Sequence, residues 1–192
     1  NTYQAKSKVP LLVSIDAEWG LAMRLDSTMK FPKQMTLGAI SDNNLIYQMG
    51  EQIAMQCKRM GIHINLAPVA DVNNNSENPV INYRSFGEDK YKVANKAIAY
   101  MKGMQNKGIM ANAKHFPGHG DTDSDSHKTL PIIKHTRERL DSLELYPFQQ
   151  MIDSGLGSMM IAHLYIPSLD DRSNRASTLS ENIVTDLLQK EM

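Results

Sequence analysis

Four times along the chain a short apolar run ends in polar residues and gives way to an amphipathic stretch. Leu11-Leu12-Val13-Ser14-Ile15, introduced by Val9-Pro10 and ended by Asp16, reads as a buried parallel strand. Asp42-Asn43 then cap a helix whose apolar positions Leu45, Ile46, Met49, Ile53, Cys57 and Met60 recur at three- and four-residue steps, with Gly61 as its stop. Residues 62–71 give a second strand running into an Asn-rich turn region over 73–84. From Glu88 the positions Tyr91, Ala94, Ala97, Ile98, Met101 and Met104 form the stripe of a second helix, which Gly108 stops. A third unit runs from Ile109 to a helix with Pro147 in its first turn and Phe148, Met151 and Ile152 facing inward. The fourth begins at Ser158-Met159-Met160-Ile161-Ala162-His163 and ends in a helix capped by Ser180, with Ile183, Val184, Leu187 and Leu188 inside.

Strand centres near residues 13, 64, 112 and 160 are evenly spaced without a matching sequence repeat, so the regularity belongs to architecture. Strands alternating with amphipathic helices imply an α/β fold with a parallel sheet and right-handed crossovers. Polar groups fall at or just after the C-terminal end of every strand: Asp16, Asp71, Lys114 with His115, and His163. An open sheet gathers ligands at a switch point, whereas a barrel gathers residues from many strands around one mouth, which favours the barrel. Four units are about half of an eight-stranded barrel, so the expectation is a partial barrel with two raw sheet edges. The remainder of the barrel, or another protomer, is expected to cover them.

The composition narrows the partners. Lys plus Arg and Asp plus Glu are each 21, and no block of like charge appears, which argues against nucleic acid and anionic membrane surfaces as partners. A small neutral ligand fits better. Cys57 is the lone cysteine, so no intramolecular disulfide framework exists, and a single free thiol suits bacterial cytoplasm or periplasm alike. No apolar run approaches the roughly 18 to 20 residues of a membrane span, and no signal peptide opens the chain. The chain starts at Asn1 without an initiator methionine and stops at Met192 in a helical pattern, which suggests a domain truncated at both ends, with 1–192 as its surviving part.

The chemistry concentrates in Lys114-His115-Phe116-Pro117-Gly118-His119-Gly120-Asp121-Thr122-Asp123-Ser124-Asp125-Ser126-His127. Three histidines and three aspartates on one Gly- and Pro-shaped loop are hard to explain by packing, because buried charge is costly unless paired. Asp125, two residues before His127, can orient its imidazole and favour the protonated form, giving a general acid/base near neutral pH. An exposed coincidence of spacing remains the plain alternative. So does a metal-dependent hydrolase using His115, His119, Asp121, Asp123, Asp125 and His127 as zinc or iron ligands. A calcium loop is excluded, since Ser126 and Ile132 stand where Gly and a bidentate Glu are needed. Arg84 can grip a hydroxyl or carboxylate with its fork of donors, and Trp19 can floor a sugar site. A third reading, from the binding class, is a non-catalytic sugar-binding barrel.

Lys114 to Asp121, followed by Asp125-Ser126-His127 and Leu130-Pro131, resembles the signature loop of glycoside hydrolase family three in its bacterial β-N-acetylglucosaminidase branch. Ile15-Asp16-Ala17-Glu18 with Met23-Arg24-Leu25, Leu66 to Asp71, Arg84-Ser85-Phe86-Gly87 and Ala162-His163 extend the resemblance across nearly the whole chain. It implies a TIM-type barrel that removes terminal β-linked N-acetylglucosamine, with peptidoglycan fragments as a candidate source, by a retaining mechanism through a covalent glycosyl-enzyme. By position, His127 would be the general acid/base and Asp125 its orienting partner. Asp16, Arg84, Lys114 and His115 would hold the sugar hydroxyls, with His163 as a further substrate-binding residue. No cofactor or metal is implied. The family's nucleophilic aspartate belongs to a later strand, and neither Asp170 nor Asp171 fits its pattern, so the 192 residues alone are expected to be nearly inactive. Ala-Glu-Trp-Gly after Asp16 departs from the commoner Gln-Glu-Gly-Gly and leaves the sugar preference open.

Overall fold

The computed structural model describes residues 2–125 and 129–192. Its centre is a four-stranded parallel sheet of β1 (Ser14–Ile15), β2 (Ile64–Asn65), β3 (Met110–Phe116) and β4 (Ser158–Ile161), in the order β1-β2-β3-β4. Each strand therefore lies beside the next one in sequence, and the order never reverses. A doubly wound sheet needs such a reversal, whereas one wall of a barrel does not. The sheet is open, with β1 and β4 as its edges.

Helices α1 (Thr2–Lys6), α2 (Gln34–Gly38), α3 (Asn43–Arg59), α4 (Lys90–Asn106), α5 (Arg137–Ser142), α6 (Tyr146–Asp153) and a closing helix, Asn182–Glu191, wound with the wider π spacing, complete the chain. Asp42 caps α3 by accepting from Asn44 N at 2.9 Å, and Asp89 caps α4 by accepting from Lys92 N at 2.9 Å. Each cap satisfies one of the donors that the first helical turn leaves without a partner. Gly61 and Gly108 follow these two helices at φ +72° and +79°, as their spacing predicts.

The core lies between the sheet and α3, α4 and α6. Ile46, Ile53, Cys57, Ala97, Tyr100, Met101, Phe148 and Met151 are all fully buried. Phe116 at the end of β3 meets Phe148 of α6 edge to face, with centroids 5.5 Å apart, and this pair fixes the helix against the strand. The backbones of α3 and α4 approach closely at Gly50 and Gly103. A Cβ on Gly103 would stand 2.1 Å from the Tyr47 carbonyl oxygen, closer than any side chain can lie. Gly103→Ala is expected to lower unfolding free energy by about 1–3 kcal/mol or more, the usual penalty of overpacking, read as a lower urea midpoint at unchanged m-value.

Some sequence expectations are corrected here. The apolar run at the start is not a buried strand: only Ser14–Ile15 pair, and Leu11, Leu12 and Val13 are exposed. They lie on the sheet's open edge, where no neighbour removes them from water, and composition alone cannot distinguish an edge from a centre. Leu45, Met60 and Tyr91 fit the helical periodicity yet are exposed, while Val93 and Tyr100 take the inward face of α4. Ile98, Ile152, Val184 and Leu188 are half-buried. Among the described residues no helix is long and apolar enough to cross a membrane.

Candidate functional site

Strand β3 changes frame at its C-terminal end. Lys114 pairs with Met160 and Phe116 with Ile161, so His115 is an extra residue in a bulge. The Lys114-His115 and Phe116-Pro117 peptide bonds are both cis. The bulge lets Lys114 and His115 reach the same end of the sheet while Phe116 returns to the core.

There Lys114, 2 % exposed, places its ammonium 2.8 Å from Asp16 Oδ1 and 2.8 Å from Glu18 Oε1. Arg84, carried at the end of the Asn-rich segment, grips Glu18 in a fork, with Nη2 to Oε1 at 2.7 Å and Nε to Oε2 at 3.1 Å. Arg24 donates to Asp16 Oδ2 at 3.1 Å from the exposed side. The result is a chain of alternating charge: Arg24, Asp16, Lys114, Glu18, Arg84. Burial opposes ionisation of Asp16 and Glu18, and the facing cations overcome it, holding both carboxyls below their usual range. Burial likewise opposes the Arg84 charge, and Glu18 overcomes it, raising its pKa.

A second arrangement sits beside it. Asp71, fully buried, accepts from His119 N at 2.7 Å and from His115 N at 3.1 Å, and its Oδ2 is 2.7 Å from His115 Nδ1. Burial works against this carboxylate, but His115 and His119 hold it below the ordinary range. An ionised Asp71 requires the proton of His115 on Nδ1. Nε2 lies 3.4 Å from Arg84 Nη2, so the imidazole is oriented from both ends. Gly120 makes the loop's return possible, because a Cβ there would lie 1.8 Å from the Val72 carbonyl oxygen.

These groups open onto one cleft of about 480 Å³, lined by Asp16, Glu18, Arg84, Lys114, His115 and His163 together with Met23, Arg24, Met160, Ile161 and Ala162. The cleft thus holds all five residues that the sequence proposes as substrate ligands. His163 is exposed, with Nδ1 2.6 Å from Thr178 Oγ1. Trp19 stands apart from the lining, its ring 5.0 Å from Lys33 Nζ, which also covers Tyr83 at 3.5 Å. Asp125 is half-buried, and its carbonyl accepts from Thr129 N at 3.1 Å. His127, the proposed acid/base, lies outside the described residues, so the dyad itself is not part of this geometry.

Glu18, Arg24 and Asp71 are the participants that the sequence left without a role. Glu18 was visible as the second half of an acidic pair after β1, and Asp71 as the strand-terminal acid of β2. Asp170 is held by Arg172 Nε at 2.8 Å and Ser180 Oγ at 2.5 Å. Of the metal-ligand candidates on the loop, Asp121 alone enters a convergent set of three among the described residues, with His135 and Glu144.

A parallel sheet of sequentially adjacent strands, with polar groups that follow β1, β3 and β4, and Arg84 from the segment after β2, lining a common cleft, defines part of a TIM-type (β/α) barrel. The family whose profile matches residues 1–192 is described as the glycosyl hydrolase family 3 N terminal domain. The chain belongs to that family. It is similar to beta-hexosaminidase A of Pseudoalteromonas piscicida, 37 % identical over 204 residues that cover 98 % of this chain and 34 % of the relative. A beta-hexosaminidase of Nitrosomonas eutropha is 34 % identical over 190 residues, covering 95 % of this chain and 53 % of its own length. Among solved structures, the glycoside hydrolase family 3 beta-N-acetylglucosaminidase from Paenibacillus sp. str. FPU-7 superposes with a TM-score of 0.91 at 43 % identity, over 95 % of this chain and 35 % of that one. NagZ from Neisseria gonorrhoeae in complex with N-trifluoroacetyl-D-glucosamine gives 0.90 at 29 % identity, over 98 % and 57 %. The chain therefore spans about a third to somewhat over half of the length of these proteins.

Proposed function

We propose that this chain is the part of a retaining β-N-acetylhexosaminidase barrel that holds the sugar and supplies the proton. The observation that carries the reading is the cleft itself, where Asp16, Lys114, His115 and His163 from strand ends meet Arg84 from the segment after β2. A sugar hydroxyl both donates and accepts, so it needs carboxylates beside ammonium and guanidinium donors, held rigidly enough that binding does not have to order them. The alternating charge chain has this character. The site relatives, named as beta-hexosaminidases and a beta-N-acetylglucosaminidase, point to terminal β-linked N-acetylglucosamine, with peptidoglycan fragments as the proposed source.

In this reading His127, oriented by Asp125, protonates the departing glycosidic oxygen as a carboxylate attacks the anomeric carbon and forms a glycosyl-enzyme. The imidazole then takes a proton from the water that hydrolyses this intermediate. The attacking carboxylate is not assigned to any residue of this sequence. The barrel's further strands, or another protomer, cover the edges at β1 and β4.

The test is His127→Ala in the full-length protein. Release of N-acetylglucosamine from an alkyl β-glycoside, a poor leaving group, should fall by about 10²–10⁴. With a dinitrophenyl aglycone, which departs without protonation, glycosylation should be affected far less. Equal rates for variant and wild type on the alkyl glycoside would remove His127 from the acid role.

A further inference from the structure

Outside the cleft, one set of side chains has no part in the charge chain or in the Asp71 network. Donor atoms of Asp121, His135 and Glu144 all lie within 4.8 Å of one another, with Asp121 and His135 half-buried and Glu144 buried. His135 Nε2 already stands 2.5 Å from Asp121 Oδ2. We propose that these three residues form a zinc site tying the start of the Asp125–His127 loop to the segment that enters α5.

The donor set suits the ion. One imidazole and two carboxylates with a water in the fourth position is an ordinary zinc environment, whereas magnesium and calcium favour all-oxygen shells. Zinc bonds to nitrogen and oxygen of about 2.0–2.2 Å would set the donors roughly 3–3.5 Å apart. Modest side-chain rotation reaches that from the present spacing of 4.8 Å or less.

Glu144 gives an independent indication. Its residue is 2 % exposed, and Oε2 has no hydrogen-bond partner among the described residues. A buried carboxylate oxygen left in this state is unfavourable by about 1–3 kcal/mol or more. Arg139 Nη2 approaches Oε1, at 3.1 Å, so the guanidinium orients Glu144 from one oxygen and leaves the other for a cation. An entry route exists as well, because His135 lines a surface cleft with Ile132, Lys134, Thr136, Tyr165 and Pro167.

The position gives the site its use. Asp121 lies four residues before Asp125, and His135 immediately precedes Thr136, the N-cap of α5. Metal binding would fix both ends of the segment that carries the proposed acid/base. Any effect on turnover rests on the glycosidase reading, while the binding itself does not.

The test titrates chelator-treated full-length protein with zinc chloride in a calorimeter, and with cobalt(II), whose visible d–d bands report a low-symmetry nitrogen and oxygen shell. One equivalent should bind, and His135→Gln should weaken it more than about 100-fold, beyond the loss typical of an outer-shell partner. Asp121→Asn should do the same with unchanged circular dichroism, and His127→Ala should retain the site. Zinc should also slow amide exchange across residues 121–135. The proposal fails if the wild type binds no zinc, if His135→Gln binds as the wild type does, or if only His127→Ala abolishes binding. These readouts are independent of turnover, so they separate failure of the metal site from failure of the glycosidase reading.

Discussion

Lys114→Met in the full-length protein should lower kcat/KM on a β-N-acetylglucosaminide by about 10³ or more and destabilise the fold by roughly 3 kcal/mol. The stability loss comes from what the ammonium leaves behind. Asp16 Oδ1 and Glu18 Oε1, each 2.8 Å from Nζ, would face each other across an apolar side chain. Arg24 would still hold Asp16 Oδ2, and Arg84 both oxygens of Glu18, which keeps the loss near the lower end of the 3–5 kcal/mol seen when a buried ion pair is broken. The activity loss is larger because the cleft loses a donor and the two carboxylates separate. Lys114→Arg distinguishes charge from shape. It keeps the cation, but a fork does not fit a slot where the lysine is 2 % exposed, so stability should recover only partly and activity little. Urea unfolding and steady-state kinetics on the same preparations check both; a Met variant as stable and active as wild type would contradict the charge chain.

Asp71→Asn should cost both stability and activity, with a distinct dependence on pH. The carboxylate receives two backbone N–H groups and His115 Nδ1, and an amide can match only some of these donors while directing its own N–H₂ at others. A loss of about 3 kcal/mol at neutral pH is expected, together with misorientation of His115 and a fall in kcat/KM of about 10². The sign of the pH effect follows from the depressed pKa of Asp71 in the folded state. Its contribution is complete above the unfolded value of about 3.9 and is lost as pH falls through the lower folded value. The wild type should therefore lose stability on acidification with up to about 1.4 kcal/mol per pH unit more slope than Asp71→Asn. Parallel unfolding curves from neutral to acid pH would show that folding does not lower the Asp71 pKa.

Much of this geometry was legible in the residues. The four strands follow from apolar runs ended by polar clusters, and the caps at Asp42 and Ser180 follow from residue types that accept from a helix's first N–H groups. Asp16, Arg84, Lys114, His115 and His163 were each identifiable at a strand end or in a motif, and they share one cleft. What could not be read was pairing across the sequence. Nothing local indicates that Glu18 faces Arg84, 66 residues later, or that Asp71 closes on His115 and His119. Edge and centre were also indistinguishable, which is why Leu11 to Val13 were expected inside. The metal reading of the loop likewise needed His135 and Glu144, contributed by the α5 segment.

The extra residue at His115 has a consequence for how such a protein can diversify. Below it, Asn112, Ala113 and Lys114 keep a regular register with β4; above it, Phe116 is anchored against Phe148. Insertions or deletions beyond Phe116 are therefore isolated from the pairing that aims Lys114. The loop can thus change in length while the ion pairs that Lys114 makes with Asp16 and Glu18 are inherited unchanged.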